Sequence, residues 1–321
     1  MANYKWKNGL GQMLKSYTTD EIAELLERVS NWGRWGKDDQ RGALNYVTNA
    51  KRAAAAKLVQ SGERVSLSRP LPTQPARDNP TPVTHLMIRS GQIGHPLGSF
   101  GCADYFAIEP HGLATTHLDA LCHHFWRGKL YNGFDTSEID FQGAHKCAID
   151  VARDGIIGRG VLLDIPKIRK VEWIEPGDAI YPEDLEAAER DHQVTVGEGD
   201  VMLLRTGRFT LRRIKGAGAL ANFAMPGLHA SCLEWLHDRK IAVLGSDAVS
   251  DVLPTPYDAP LKMPIHTGTL VMMGVHLIDN AELDPLAAKC AQEGRYEFMF
   301  SLLPLVLERG TASPANPVAL F

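Results

Sequence analysis

Apolar residues recur at Ile22, Leu25, Leu26 and Val29, the three- and four-residue spacing of one helix face. Thr18 stands before them as a candidate cap, and Glu21 closes a capping box. A second helix is predicted over about residues 49–60, with Thr48 as its cap, four alanines at 53–56 and Gly62 just past its end. Between the two lies NWGRWGKDDQRGALNYV, a loop in which Trp32 and Trp35 read either as anchors on the core or as walls of a substrate pocket or subunit contact.

From residue 66 onward the texture changes to short β-like runs punctuated by Gly, Pro and Asp. They fall at 65–67, 160–164, 200–205, 241–244 and 270–273, several of them apolar throughout, as in strands covered on both faces. Helical patterns at 182–189 and 228–238 alternate with these runs. The alternation predicts an α/β fold with helices packed on sheet, organised as an N-terminal helical arm (1–65) and one catalytic domain (66–321). Five prolines in 70–82 mark a loop crossing.

Composition narrows the function. The 321 residues carry 34 Lys and Arg against 38 Asp and Glu, a net charge of −4. No basic surplus is available to neutralise nucleic acid or an anionic membrane surface, and no apolar run reaches the roughly 18 residues of a membrane span. The polar start lacks the apolar stretch of a secretory signal. Five scattered cysteines with no C-x-x-C pair fit reduced thiols, so the expected compartment is the cytoplasm.

Four of the 12 histidines fall in HGLATTHLDALCHH, residues 111–124. In extended chain His117 and Asp119 project to one face, and a helical turn after Asp119 brings His123 beside it. Imidazole with carboxylate suits Zn²⁺ or Mn²⁺ and is too nitrogen-rich for Mg²⁺ or Ca²⁺. A second candidate pair, His266 and Asp279, brackets the apolar run at 270–273 and reaches one cavity if the chain turns back; His276 and Asn280 stand nearby as alternatives. Arg205, at the end of DVMLLR, is placed either to hold a substrate carboxylate or to form a structural ion pair, and Glu297, an acid in an apolar run, either faces the site or is buried and paired. Gly158-Arg159-Gly160 lacks the third glycine of a dinucleotide fingerprint.

Thr116-His117-Leu118-Asp119 with His123 four residues on resembles the THxDxxxH core of the cyclase-like metal hydrolases, a family that includes bacterial kynurenine formamidase, isatin hydrolase and trans-dienelactone hydrolase. GSDAVSDVLP at 245–254, HLIDNAEL at 276–283, and YEFMFSLLPL followed by SPANP add to the likeness in the expected order, over roughly residues 66–321. The resemblance implies a swivelling β/β/α fold around a metal centre, assembled as a homo-oligomer, dimer or tetramer. It implies Asp119, His117, His266 and Asp279 as metal ligands and His123 as the non-ligand histidine that moves a proton to and from the attacking water.

One position departs from the pattern. Where the family places a ligand histidine four residues before His117, this chain has Leu113, and His111 is the alternative ligand. The expectation is therefore one divalent ion, Zn²⁺ or Mn²⁺, held by Asp119, His266 and Asp279 with His117 as a further ligand. The implied activity is hydrolysis of a small cyclic or aryl amide, imide or lactone by metal-bound water, with Trp32, Arg205 and Glu297 as candidate substrate contacts. Two rivals stand beside it: a non-catalytic binding protein on the same fold, motivated by Leu113, and a metal-dependent lyase or isomerase using the same Lewis acid on an enolate.

Overall fold

A computed structural model describes residues 17–91, 101–218, 224–255 and 261–321. The polar segment at the start, read above as carrying no signal, falls outside the described residues except for Tyr17. The fold is mixed α/β, built on a curled nine-stranded sheet. Across the sheet the strands run Arg64–Ser66, Val318–Leu320, Glu297–Leu302, Ile156–Asp164, Val201–Arg205, Val243–Ser246, His276–Asp279, His117–Asp119 and Ala312–Pro314. The four from Ile156–Asp164 to His276–Asp279 are mutually parallel, and every other neighbour is antiparallel.

The parallel centre is apolar because it is covered on both faces. Val161, Leu162, Leu163, Met202, Leu203, Leu204, Val243 and Leu244 are all buried, so successive side chains that point to opposite faces both meet packed helices or loops. Four expected strands are present with shifted ends: Arg64–Ser66, Ile156–Asp164, Val201–Arg205 and Val243–Ser246.

The fifth is different. Residues 270–273 lie in a π-helix, Thr267–Met273, that continues from Pro264–His266, and the strand comes later at His276–Asp279. Leu270, Val271, Met272 and Met273 are buried. A helix buried on all sides shows the same unbroken apolar run as a central strand, so periodicity does not separate them.

The arm forms as its caps dictate. Thr18 Oγ1 accepts the Glu21 amide while Glu21 returns a bond to the Thr18 amide, starting Thr19–Arg28; Thr48 caps Asn49–Ala56. Ile22, Leu25, Leu26 and Val29 share one apolar cluster with the sheet. The arm also finishes the π-helix. A helix end leaves its last carbonyls without intrahelical donors, and here four in succession are taken from outside. Trp32 Nε1 donates to the Val271 carbonyl at 2.6 Å, the Asn31 amide to Met272 at 2.9 Å, Asn31 Nδ2 to Met273 at 3.0 Å and the Ala43 amide to Gly274 at 2.7 Å.

That contact requires a glycine at 42. Its φ is +56°, and a Cβ there would sit 2.2 Å from the Gly274 carbonyl oxygen. Gly33, at φ +75° with open space around it, carries the backbone strain alone. Gly42→Ala is expected to lower stability by about 2–4 kcal/mol, combining the left-handed cost with overpacking, and Gly33→Ala by about 1–2 kcal/mol; denaturant unfolding of the two variants measures the difference.

Candidate metal centre

The register of two strand pairs assembles the centre. In the antiparallel pairing of His276–Asp279 with His117–Asp119, Asp279 lies opposite His117 and Leu277 opposite Asp119. Opposed residues share a face of the sheet, so His117, Asp119 and Asp279 point the same way. After Asp119 the chain turns, the His123 amide donating to the Ala120 carbonyl at 2.9 Å, which brings His123 back over the strand as the spacing predicts.

Each of three histidines offers one ring nitrogen to the carboxylates and holds the other on an oxygen. His117 Nδ1 bonds the Thr115 carbonyl at 2.8 Å, leaving Nε2 3.4 Å from Asp119 Oδ1. His111 Nε2 meets Thr311 Oγ1 at 3.1 Å, leaving Nδ1 3.0 Å from the same Oδ1. His266 Nδ1 meets Asp251 Oδ2 at 2.6 Å, leaving Nε2 3.7 Å from Asp279 Oδ2. A second nitrogen tied to an oxygen is what fixes tautomer and ring orientation in metal-ligating histidines.

Two trios of possible ligands result, His111–His117–Asp119 and Asp119–His266–Asp279, the offered atoms of each trio within 4.8 Å of one another. Asp119 belongs to both. It is fully buried, and among the described residues neither of its carboxylate oxygens receives a hydrogen bond; nor does Asp279 Oδ1. Three buried acceptor oxygens without donors, facing imidazole nitrogens, are a donor set that fits a Zn²⁺ or Mn²⁺ ion.

Electrostatics agree. Burial opposes charge on His117 and His266, yet the carboxylates beside them, Asp119 for the first and Asp251 for the second, push both imidazoles up to about 9. Asp119 is held well below the usual carboxylate range: burial acts to raise it, and the charge of His117 overcomes that. Burial raises Asp279 above its ordinary value. At His123 and His124 burial outweighs the pull of the nearby carboxylates, Asp119 for the first and Asp251 with Asp119 for the second, and lowers them to about 3 and about 4. Both therefore stay neutral at pH 7. The His123 ring stacks on His111 at 3.7 Å between centroids, and His124 lies 5.8 Å from His266.

The substrate candidates lie elsewhere. Arg205 is clamped by Asp164 and Asp284, each at 2.8 Å, and Glu297 bonds Arg159 at 2.7 Å on the neighbouring strand; among the described residues neither forms a hydrogen bond or ion pair with the histidine cluster. Trp32 spends its ring N–H on the end of the His266 helix and keeps 37% of its surface exposed. Sequence reasoning passed over Asp251. The segment 245–254 adds to the family likeness without singling out Asp251, and its other acid, Asp247, accepts bonds from the Thr206 amide, the Thr206 hydroxyl and the Gly207 amide. Only the fold brings Asp251 under His266, where it also accepts the Ile265 and His266 amides.

Residues 65–251 match the family model for cyclases. The chain belongs to the cyclase family. A solved structure described as a novel cyclase is 32% identical, with a TM-score of 0.80 over 91% of this chain and 99% of that one. Isatin hydrolase A from Ralstonia solanacearum is 22% identical, with a TM-score of 0.56 over 80% of this chain and 91% of its own. Isatin hydrolase A from Labrenzia aggregata, bound to benzyl benzoate, is 21% identical, with a TM-score of 0.58 over 83% of this chain and 94% of its own. The two hydrolases share the fold at that identity. A comparison with curated proteins finds no match. Among the described residues no helix is long and apolar enough to cross a membrane.

Asp251 thus supports one candidate ligand, His266. Asp251→Asn keeps the volume and removes the charge facing His266 Nδ1, so affinity for Mn²⁺ is expected to fall about 10- to 100-fold, measured by calorimetric titration of chelator-treated protein.

Proposed function

We propose that this cyclase-family chain is a metal-dependent hydrolase of a small cyclic or aryl amide, imide or lactone, working with Zn²⁺ or Mn²⁺. The observation that carries the reading is Asp119, buried between two sets of oriented histidine and carboxylate groups and, among the described residues, receiving no hydrogen bond. An ion held there supplies an acidified water and a Lewis acid for a carbonyl oxygen. His111, His117, Asp119, His266 and Asp279 would hold it. His123, neutral at neutral pH, stacked over His111 and without a ring hydrogen bond among the described residues, would take a proton from the attacking water and return it to the leaving nitrogen or oxygen. His111 beside Asp119 also answers the motive for a non-catalytic reading, since it stands where Leu113 leaves a gap.

Elemental analysis of protein purified without an affinity metal, followed by a hydrolysis screen over amides, imides and lactones, tests the proposal. One or two equivalents of Zn²⁺ or Mn²⁺ and chelator-sensitive turnover are expected. His266→Ala should lose metal and turnover together, whereas His123→Ala should keep the metal and lose about 10²- to 10⁴-fold in turnover. Absence of restorable metal from the native chain would sink the reading.

Metal binding should also release protons. A ligating imidazole must be neutral, and in the metal-free protein His117 and His266 stay protonated up to about 9. Affinity therefore rises with pH from 6 towards 9 and levels off above. Calorimetry at pH 7 in buffers of different ionisation enthalpy should read about one proton per ion if His266 alone deprotonates and about two if His117 joins it.

A further inference from the structure

Arg208 opens the helix Arg208–Lys215 and is fully buried, yet among the described residues it forms no ion pair. Nη1 donates to Asn280 Oδ1 at 2.5 Å and to the Asp247 carbonyl at 3.4 Å, Nη2 donates to the Leu113 carbonyl, and Nε has no partner. A guanidinium whose direct hydrogen-bond partners are all neutral oxygens is an expensive way to fill a core; burial outweighs the pull of the Asp78 and Asp247 carboxylates and lowers this one to about 10. Packing alone does not account for it.

Its partner Asn280 follows the candidate ligand Asp279 and sits at φ +56°, in the left-handed region that Asn tolerates. Asn280 Nδ2 donates to the Gly112 carbonyl at 2.8 Å and to the Thr115 carbonyl at 3.1 Å, and its own carbonyl accepts the Thr116 hydroxyl at 2.8 Å. Together the two side chains take the carbonyls of residues 112, 113 and 115, nearly the whole stretch between His111 and Thr116. The Leu113 side chain meanwhile packs against the apolar cluster of Leu211, Met225 and Val249. His111, two residues earlier, is left with Nδ1 3.0 Å from Asp119.

We propose that Arg208 and Asn280 are positioning residues that fix the register of the 111–116 loop, so that His111 rather than residue 113 presents its imidazole to Asp119. The inference rests on the metal-centre reading above. It makes the ligand at this corner a property of the loop's hydrogen bonds and not of the local sequence spacing.

The test is a double-mutant cycle read in Mn²⁺ affinity, titrating Mn²⁺ alone into chelator-treated full-length chain, with the melting temperature of the metal-free protein recorded in parallel. His111→Ala and Arg208→Met should each weaken Mn²⁺ binding about 10- to 100-fold. The double variant should be no weaker than the worse single one, because both remove the same ligand. Adding Leu113→His to His111→Ala should restore nothing while Arg208 holds residue 113 in place. Arg208→Lys, which keeps the charge and one donor, should lie between wild type and Arg208→Met, and it carries the test if Arg208→Met does not fold. A lowered melting temperature with unchanged affinity in both Arg208 variants, additive losses in the cycle, or restoration by Leu113→His would each overturn the proposal. Wild-type protein that binds neither Mn²⁺ nor Zn²⁺ refutes the metal reading itself, and that outcome appears before any variant is compared.

Discussion

A carboxylate sealed from water with no hydrogen bond is the constraint around which this structure is arranged. Asp119 sits at the end of its strand, and among the described residues neither of its oxygens receives a hydrogen bond, although His111 and His117 face Oδ1. Burying a carboxylate costs several kcal/mol unless it is protonated or paired. The surroundings do the opposite of protonating it. They bring His111 and His117 to one side, and His266 with Asp279 to the other, and charge on His117 keeps Asp119 ionised. Asp279 and Asp251 add negative charge nearby, so the cluster as a whole favours a cation.

Holding such a cluster together requires rigidity from several directions. One side depends on the antiparallel register that sets Asp279 against His117. The other depends on the helix that begins at Pro264 and widens into a π-helix, a form often found at functional sites. That helix cannot satisfy its own last carbonyls, and the N-terminal arm supplies the donors through Asn31, Trp32 and Ala43. The arm is thereby tied to the ligand-bearing helix by hydrogen bonds as well as by apolar packing. Trp32, which the sequence marks as core anchor or pocket wall, has a third role as the donor that closes this helix.

The histidines divide by what lies behind them. His117 and His266 each face a carboxylate close enough to overcome burial and become strong bases in the metal-free protein; at His123 and His124 burial outweighs the pull of Asp119 and Asp251, and both stay neutral. Side chains of one chemical type are thus set apart in charge by the balance of burial and nearby acids around each.

Much of this was written locally. The helix caps, the apolar runs of the central strands and the i, i+2 relation of His117 and Asp119 depend on neighbours a few residues away, so the sequence alone determined the first two helices, the α/β class and the pairing of His117 with Asp119 on one face. The run at 270–273 was ambiguous because a buried helix and a buried strand are equally apolar. Contacts between residues far apart in the chain left no local trace. Asp251 behind His266, Arg205 drawn to Asp164 and Asp284, and Glu297 drawn to Arg159 are decided by which strands and loops become neighbours. His111 shows the same limit within the motif itself. Spacing points to residue 113, but the carbonyls of that loop are gathered by Arg208 and Asn280, which lie 95 residues away at one contact and 168 at another, and only their tertiary placement turns His111 towards the carboxylate.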